Sequence, residues 1–280
     1  MGSGGRRRSM PKRVLSNQPT FWEGLSASEK ASFRKQATSR TVYKGDIILS
    51  DGMSKLAVLM PGCWTRLEVE VGPHSRTVVD ISGPGDLVSV LHAIEPARPY
   101  WLGRNGITRA VVLKKGVVLE VPSGRVSALI ASVPAVQQML VNCAITQLHI
   151  GIQARASSHL DVSTRLARLL LDILYRFGEN RSEQHKLLTL APPLSQSDLA
   201  AWIGASLASV ARVLRNWRSL GIIRTVYGSI SLVDLKRMRE EAVGSDAPWW
   251  EPPWGMASIP KGERIVRDPI QHNLGDLLTK

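Results

Sequence analysis

The chain has 280 residues and carries 36 Lys and Arg against 23 Asp and Glu, a formal net charge of +13. At 44% hydrophobic and 21% charged its composition is globular, which excludes a disordered or fibrous chain, and at roughly 100–200 residues per domain the length suggests two modest domains. No run approaches the roughly 18 apolar residues of a membrane span, and the basic N-terminus lacks the apolar core of a signal peptide, so the expectation is a cytoplasmic protein with no membrane partner. Cys63 and Cys143 stand far apart and can build neither a disulfide framework nor a metal cluster within one chain.

The positive charge is unevenly placed: +5 on residues 1–20, +5 on 21–160, +4 on 161–243 and −1 on 244–280. Such a surplus attracts a polyanion without identifying it. Residues 1–20 show no hydrophobic periodicity and read as a basic flexible arm. From Phe21 to Ala37, the apolar Phe21, Trp22 and Leu25 precede Ser26 with Glu29 three positions on, which predicts a short helix with a capping box. Between Thr41 and Pro122 six β-branched runs (46–49, 56–60, 65–71, 76–81, 107–113 and 117–121) alternate with Gly and Pro turns, predicting an antiparallel β-barrel or roll within a domain spanning residues 21–133.

From Pro134 turn residues nearly vanish. Val136, Leu140, Cys143, Gln147, Ile150 and Ala154 recur in steps of four and three, so residues 134–160 read as a dimerisation helix with this seam facing a partner. Asp161 can cap a second helix, Val162–Phe177, which Gly178 ends.

The most informative stretch lies within residues 161–243. Ser195 can cap a helix running to Ile203, Gly204 supplies a left-handed turn residue, and Ser206 can cap a helix from Leu207 to Leu220. The alternation around Tyr227-Gly228-Ser229 then predicts a small hairpin, a wing. This pattern is a winged helix-turn-helix, whose second helix fits the major groove of double-stranded DNA. Its outward residues, Leu207, Ala208, Arg212, Arg215 and Asn216, are candidates to meet bases and backbone, with Arg212 foremost for bidentate guanine contact. Ser195, Gln196, Ser206 and Ser209 are placed for phosphate, with Tyr227 a weaker candidate in the wing. No nucleophile–base pair, phosphate loop or paired carboxylates stand out, so no enzymatic activity is expected. Residues 244–280, with Pro248-Trp249-Trp250-Glu251-Pro252-Pro253-Trp254, form a Trp- and Pro-containing extension. It has two readings: a dock for a partner such as RNA polymerase, or a cover over its own dimer.

Together these segments resemble the Crp/Fnr superfamily of bacterial transcription regulators over about residues 20–242. The likeness rests on Phe21-Trp22-Glu23-Gly24-Leu25-Ser26, Tyr43-Lys44-Gly45-Asp46-Ile47-Ile48-Leu49, Gly83-Pro84-Gly85-Asp86-Leu87-Val88, His159-Leu160-Asp161-Val162 and the C-terminal reader. The resemblance implies an α+β fold: a cyclic-nucleotide-binding-like β-roll, a dimerising helix, and a winged helix that reads a palindromic operator as a homodimer. By that likeness an effector pocket would involve Gly85, Asp86, Leu87, Val88, Ser89, Arg98, Gln147 and Ile150.

The sequence departs from that pattern in the pocket. Where cyclic-nucleotide-binding members place a Gly-Glu pair, Ser89-Val90 follows, and valine cannot accept a hydrogen bond from ribose. The Arg-Ser pair for the cyclic phosphate has no match in register, and Ile150 and Gly151 occupy the positions of adenine-facing hydroxyls. No cofactor is therefore assigned, and any effector is an unidentified small molecule other than cyclic AMP held in the usual manner. Leu207 and Ala208 also replace the Arg and Glu of members that read a TGTGA-type half-site, which predicts a different operator. The competing reading is an interaction module in which the roll and Trp-rich tail recruit a partner and DNA binding is secondary.

Overall fold

Short β-branched runs punctuated by glycine turns pair into two four-stranded antiparallel sheets. The computed structural model describes residues 19–50, 55–72, 75–88, 107–180, 188–226 and 229–244. One sheet has the order β1 (Thr38–Val42), β8 (Gly116–Pro122), β3 (Lys55–Leu59) and β6 (Leu87–Val88). The other has β2 (Ile47–Ser50), β7 (Ile107–Lys114), β4 (Trp64–Gly72) and β5 (Ser75–Ser82). Strand periodicity explains the two cores on either side of β3. Ala57 and Leu59 point between the sheets with Ile48, Ala110, Val112 and Val118, while Leu56 and Val58 point outward under a helical layer. Strand β1 is absent from the sequence expectation because Thr38–Thr41 are polar and mostly exposed; its pairing with β8, Thr38 opposite Glu120 through Val42 opposite Gly116, is what orders it.

The single helix expected over 21–37 is two helices. Thr20 with Glu23 caps α1 (Phe21–Gly24), and Ser26 with Glu29 caps α2 (Ala27–Gln36), each as a complete capping box. The chain restarts at Leu25, which is 2% exposed. Phe33 then receives the edges of Phe21 and Trp22, with ring centroids 5.8 and 5.6 Å away. A further helix, α3 (Ser123–Ser132), continues directly from β8 and buries Val126 and Leu129.

The long helix α4 spans Pro134–Ala156, with Pro134 at its first turn where a missing N–H is harmless. Its expected partner-facing seam is corrected by the structure. Val136 and Leu140 are 0% and 2% exposed, buried on their own roll with Cys143 packed beside them, so they cannot face another chain. Ile150 is half-buried, Ala154 is exposed, and the Gln147 side chain lies outside the described set. The exposed apolar stripe is instead Val141, Ile145, Leu148 and Ile152, on the opposite side of the helix.

Asp161 caps α5 (Val162–Phe177) by accepting from the Thr164 N–H at 3.0 Å. Gly178 ends it in extended backbone, where a Cβ would run into the Leu174 carbonyl oxygen. The remaining elements are β9 (Gly178–Asn180), β10 (Leu188–Leu190), α6 (Gln196–Ile203), α7 (Leu207–Ser219), β11 (Ile223–Val226), β12 (Ser229–Leu232) and α8 (Leu235–Val243). Their antiparallel sheet has the order β11-β12-β10-β9, and α5, α6, α7 and α8 enclose a core centred on Leu166, Ile173, Leu199, Leu214 and Trp217. The two halves touch: Trp64 packs edge-on to Phe177 at 5.2 Å, and Arg176 donates to Asp80 at 2.8 Å and to the Ile81 carbonyl at 3.0 Å. Among the described residues no single helix is long and apolar enough to cross a membrane.

Candidate nucleic-acid interface

The local chemistry of residues 195–220 fixes two helices at a sharp turn. Ser195 precedes α6; its Oγ accepts from the Asp198 N–H at 3.1 Å and donates to Asp198 Oδ2 at 2.6 Å, while the Ser195 N–H donates to the same oxygen at 2.9 Å. Gly204 ends α6 at φ +63° and ψ +45°, a left-handed conformation that a side chain with a Cβ adopts only under strain. Arg165 of α5 donates to the Ile203 carbonyl, placing a cation against the negative end of α6. Ser206 Oγ accepts from the Ser209 N–H at 3.1 Å and starts α7.

Helix α7 divides cleanly by face. Val210, Leu214 and Trp217 are buried in the reader core. Leu207, Ala208, Arg212, Arg215 and Asn216 are exposed. Among the described residues neither Arg212 nor Arg215 has a side-chain hydrogen bond or ion pair, whereas Arg218 Nε is engaged by the Leu214 carbonyl at 3.1 Å. The surface therefore combines two unpaired guanidiniums, an amide and two apolar side chains, one large and one small, on one ridge, a set suited to phosphate, base edges and thymine methyl groups. Strands β11 and β12 form a hairpin beside it, with Val226 opposite Ser229; Tyr227 lies outside the described residues.

The expected phosphate-binding hydroxyls need correction. The Ser195 proton is held by Asp198, and Ser206 Oγ donates to Ser209 Oγ at 2.9 Å, so both act first as helix caps. Of the four residues placed for phosphate, the exposed Gln196 makes no side-chain hydrogen bond among the described residues, and Ser209 keeps its own proton. Asp198 is 4% exposed. Burial alone would raise its pKa; the Ser195 hydrogen bonds and the nearby Arg66 and Arg76 outweigh this and hold the carboxyl below its ordinary range.

The expected effector pocket fares differently. Gly85, at φ +86°, donates its N–H to Leu59 and accepts from Trp22, and a Cβ on it would collide with Thr20. Asp86 accepts from the Gly83 N–H at 2.9 Å. Leu87 enters the core beneath the helices and Val88 the core between the sheets, so these four residues serve the roll's own packing. Ser89 and Arg98 lie outside the described residues, and Ile150 sits half-buried on α4. Among the described residues no three His, Cys, Asp or Glu side chains gather as a metal site. Burial pushes the Cys63 thiol up to about 12 and, with a contribution from Asp86 and Asp80, Cys143 to about 11, so both are poor nucleophiles at neutral pH.

The interface was only partly visible in the sequence. Arg165, Arg66 and Arg76 were missed as partners of α6. For the last two no local signal exists, because they reach it across more than 120 residues of chain.

Comparison with known proteins agrees with this geometry. Residues 164–241 match the model of the Crp-like helix-turn-helix domain. A CRP-like cAMP-activated global transcriptional regulator of Mycobacterium tuberculosis is 24% identical over 236 residues, covering 79% of this chain and 96% of that protein. The c-di-GMP responsive global regulator CLP of Xanthomonas campestris superposes with a TM-score of 0.59 at 17% identity, covering 75% of this chain and 100% of that one. A protein assigned to the Crp/Fnr family from Eubacterium rectale superposes with a TM-score of 0.55 at 15% identity, covering 79% and 97%. Residues 164–241 thus form a Crp-like helix-turn-helix domain, and the chain as a whole is similar to Crp/Fnr-type transcription regulators, with roll, long helix and reader in the same order.

Proposed function

We propose that the protein is a cytoplasmic homodimer that binds a palindromic operator in double-stranded DNA through α7, with Arg212 reading a base and Arg215, Gln196 and Ser209 holding the backbone. The observation that carries this reading is the unpaired outward face of α7, set by Gly204 at a fixed angle to a helix anchored in the fold. The exposed stripe Val141, Ile145, Leu148 and Ile152 on α4 supports dimerisation. Four large apolar side chains at helical spacing, all 46–65% exposed, bury their surface when paired with the same stripe of a second copy. A twofold axis along that seam presents two readers to inverted half-sites about one helical turn apart.

The effector is a separate part of the reading. Relatives are described as responsive to cyclic AMP and to c-di-GMP. Here Leu87 and Val88 are committed to packing, Val90 replaces an acid, and Ile150 and Gly151 replace hydroxyls, so cyclic AMP in the usual manner does not suit this roll.

The test is selection of genomic fragments by the full-length protein at moderate salt, followed by sequencing. Recovery of a shared motif with inverted half-sites is the expected result. Uniform retention that competitor DNA abolishes would overturn sequence-specific regulation.

A further inference from the structure

We propose that the β4–β5 hairpin of the roll positions the helix-turn-helix through Asp198, holding the reader with its outward face clear and so fixing the separation of two readers on DNA. The clause about separation rests on the homodimeric reading above; the docking of the reader does not.

One carboxylate divides its two oxygens between the reader and the roll. Asp198 Oδ2 is occupied by the Ser195 cap. Oδ1 faces the roll, where Arg76 Nη2 lies at 3.0 Å and Arg66 Nη1 at 3.3 Å. Both guanidiniums also grip Glu68 Oε2, Arg66 through Nε at 2.7 Å and Arg76 through Nη1 at 3.1 Å. Two cations and two anions thus close a ring in which the acids are 8% and 4% exposed. An acid so placed demands a partner, and arginine's rigid fork can serve two acids at once.

Three members of the ring belong to the roll and one to the reader, so its bonds to Asp198 join the halves. The core of the reader closes around Trp217 without it. Arg76 Nη2 also reaches Ser197 Oγ at 3.4 Å, beside the start of α6. Four residues along β5, beyond an irregularity in its pairing with β4, Asp80 holds Arg176 of α5. The reader is therefore gripped at two points on one strand, through α5 and α6, and both are fixed relative to the roll that carries α4.

The held posture determines the sign of the effect. With the ring closed, Gln196, Leu207, Ala208, Arg212, Arg215 and Asn216 are all exposed, so none of the described residues of the roll covers the reading face. A grip that preserves a binding-competent posture favours DNA binding by raising that posture's population.

The experiment uses the full-length protein and the variant Arg66→Ala/Arg76→Ala, which leaves α6, α7 and the Ser195–Asp198 cap intact. Two measurements are made. Hydrogen exchange of the Gln196–Ile203 amides in DNA-free protein should quicken by about fivefold or more, with α5 unaffected. On the selected operator, the wild-type preference for native half-site spacing over a one-base-pair insertion should fall by about fivefold or more. Should the double variant fail to fold, Arg76→Gln keeps Arg66 to neutralise Asp198 and should move both readouts the same way. Unchanged exchange with unchanged spacing preference overturns the proposal, and so does tighter DNA binding, which would mean that the ring restrains the reader. If the wild type selects no operator, the functional reading fails, and the exchange measurement still decides whether the ring holds α6.

Discussion

Helices α6 and α7 are both started by serine caps and joined across one left-handed glycine, yet they treat charge in opposite ways. In α6 the carboxylate of Asp198 is buried and met on every side, by Ser195 within the helix and by Arg66 and Arg76 from the roll. In α7 the guanidiniums of Arg212 and Arg215 stand in solvent without a partner among the described residues. A buried charge must be paired because leaving it bare costs several kcal/mol, whereas an exposed one can wait for an anion from outside. The difference leaves one helix held by the roll and the other with its cations free to meet an anion, as the proposed reading requires.

The strongest way to break that division is to remove what both helices lean on. Trp217 is fully buried on the inner face of α7, and its indole nitrogen has no partner in the described structure, so Trp217→Ala removes packing and no hydrogen bond. The expected loss is about 3–5 kcal/mol, read by urea unfolding, with DNA binding lost together with the reader's fold. The next variants separate reading from approach. Arg212→Ala should weaken the selected operator by about 1–3 kcal/mol and relax preference at one base position, measured by competition against operators altered there. Arg215→Ala should instead weaken all sequences alike and reduce the salt slope of binding by about 1.

How much of this was legible in the sequence depends on whether the deciding contacts are local. The serine caps, Gly204 and the helix after Asp161 could be read because each rests on residues within a few positions. Among the seven strands between Ile47 and Val121 the two-residue β6 was too short to show, and the other six were marked by turns on both sides. Strand β1 and helix α3 were not: the first is a polar edge ordered by β8, and the second starts at Ser123-Gly124 without a side-chain cap. The seam of α4 was misassigned for a different reason. That helix is apolar on two opposite faces, and periodicity alone cannot tell the face of Val136 and Leu140, sealed on its own roll, from that of Ile145 and Leu148. The Asp198 ring was invisible because its arginines arrive from another domain.

A smaller effect sharpens the contrast at the start of α6. Ser195→Ala removes the oxygen that accepts from Asp198 N–H and the hydroxyl that binds its carboxylate. A lost N-cap costs about 1 kcal/mol, so the melting temperature should fall modestly while Asp198 keeps its two arginines. Operator selectivity should survive, since the hydroxyl proton is engaged inside the helix; a selective loss of affinity out of proportion to stability would restore Ser195 as a direct phosphate contact.

The last test is pH, which acts on the holding helix through Asp198. Asp198 is held below its ordinary pKa of 3.8 in the folded protein: burial opposes ionisation, but the Ser195 hydrogen bonds and the charges of Arg66 and Arg76 more than offset it. A carboxyl depressed in this way contributes stability that is fully present above the unfolded value and is lost as pH falls through the folded one. Between pH 7 and 5 its contribution should therefore be flat, and it should decline below about pH 4. Asp161 is shifted the same way, with burial again outweighed by bonds from Thr164 and Ser163, and Glu29 is lowered by its Ser26 hydrogen bonds at the start of α2, so wild-type protein loses three helix starts in the same window. Asp198→Asn separates them. Urea midpoints for the variant should begin lower at pH 7 and fall less steeply than wild type from pH 5 to pH 3, leaving the contributions of Asp161, Glu29 and Glu120. Parallel slopes for the two proteins would show that the Asp198 charge does not hold α6, and the contrast between the two helices would reduce to their exposed faces.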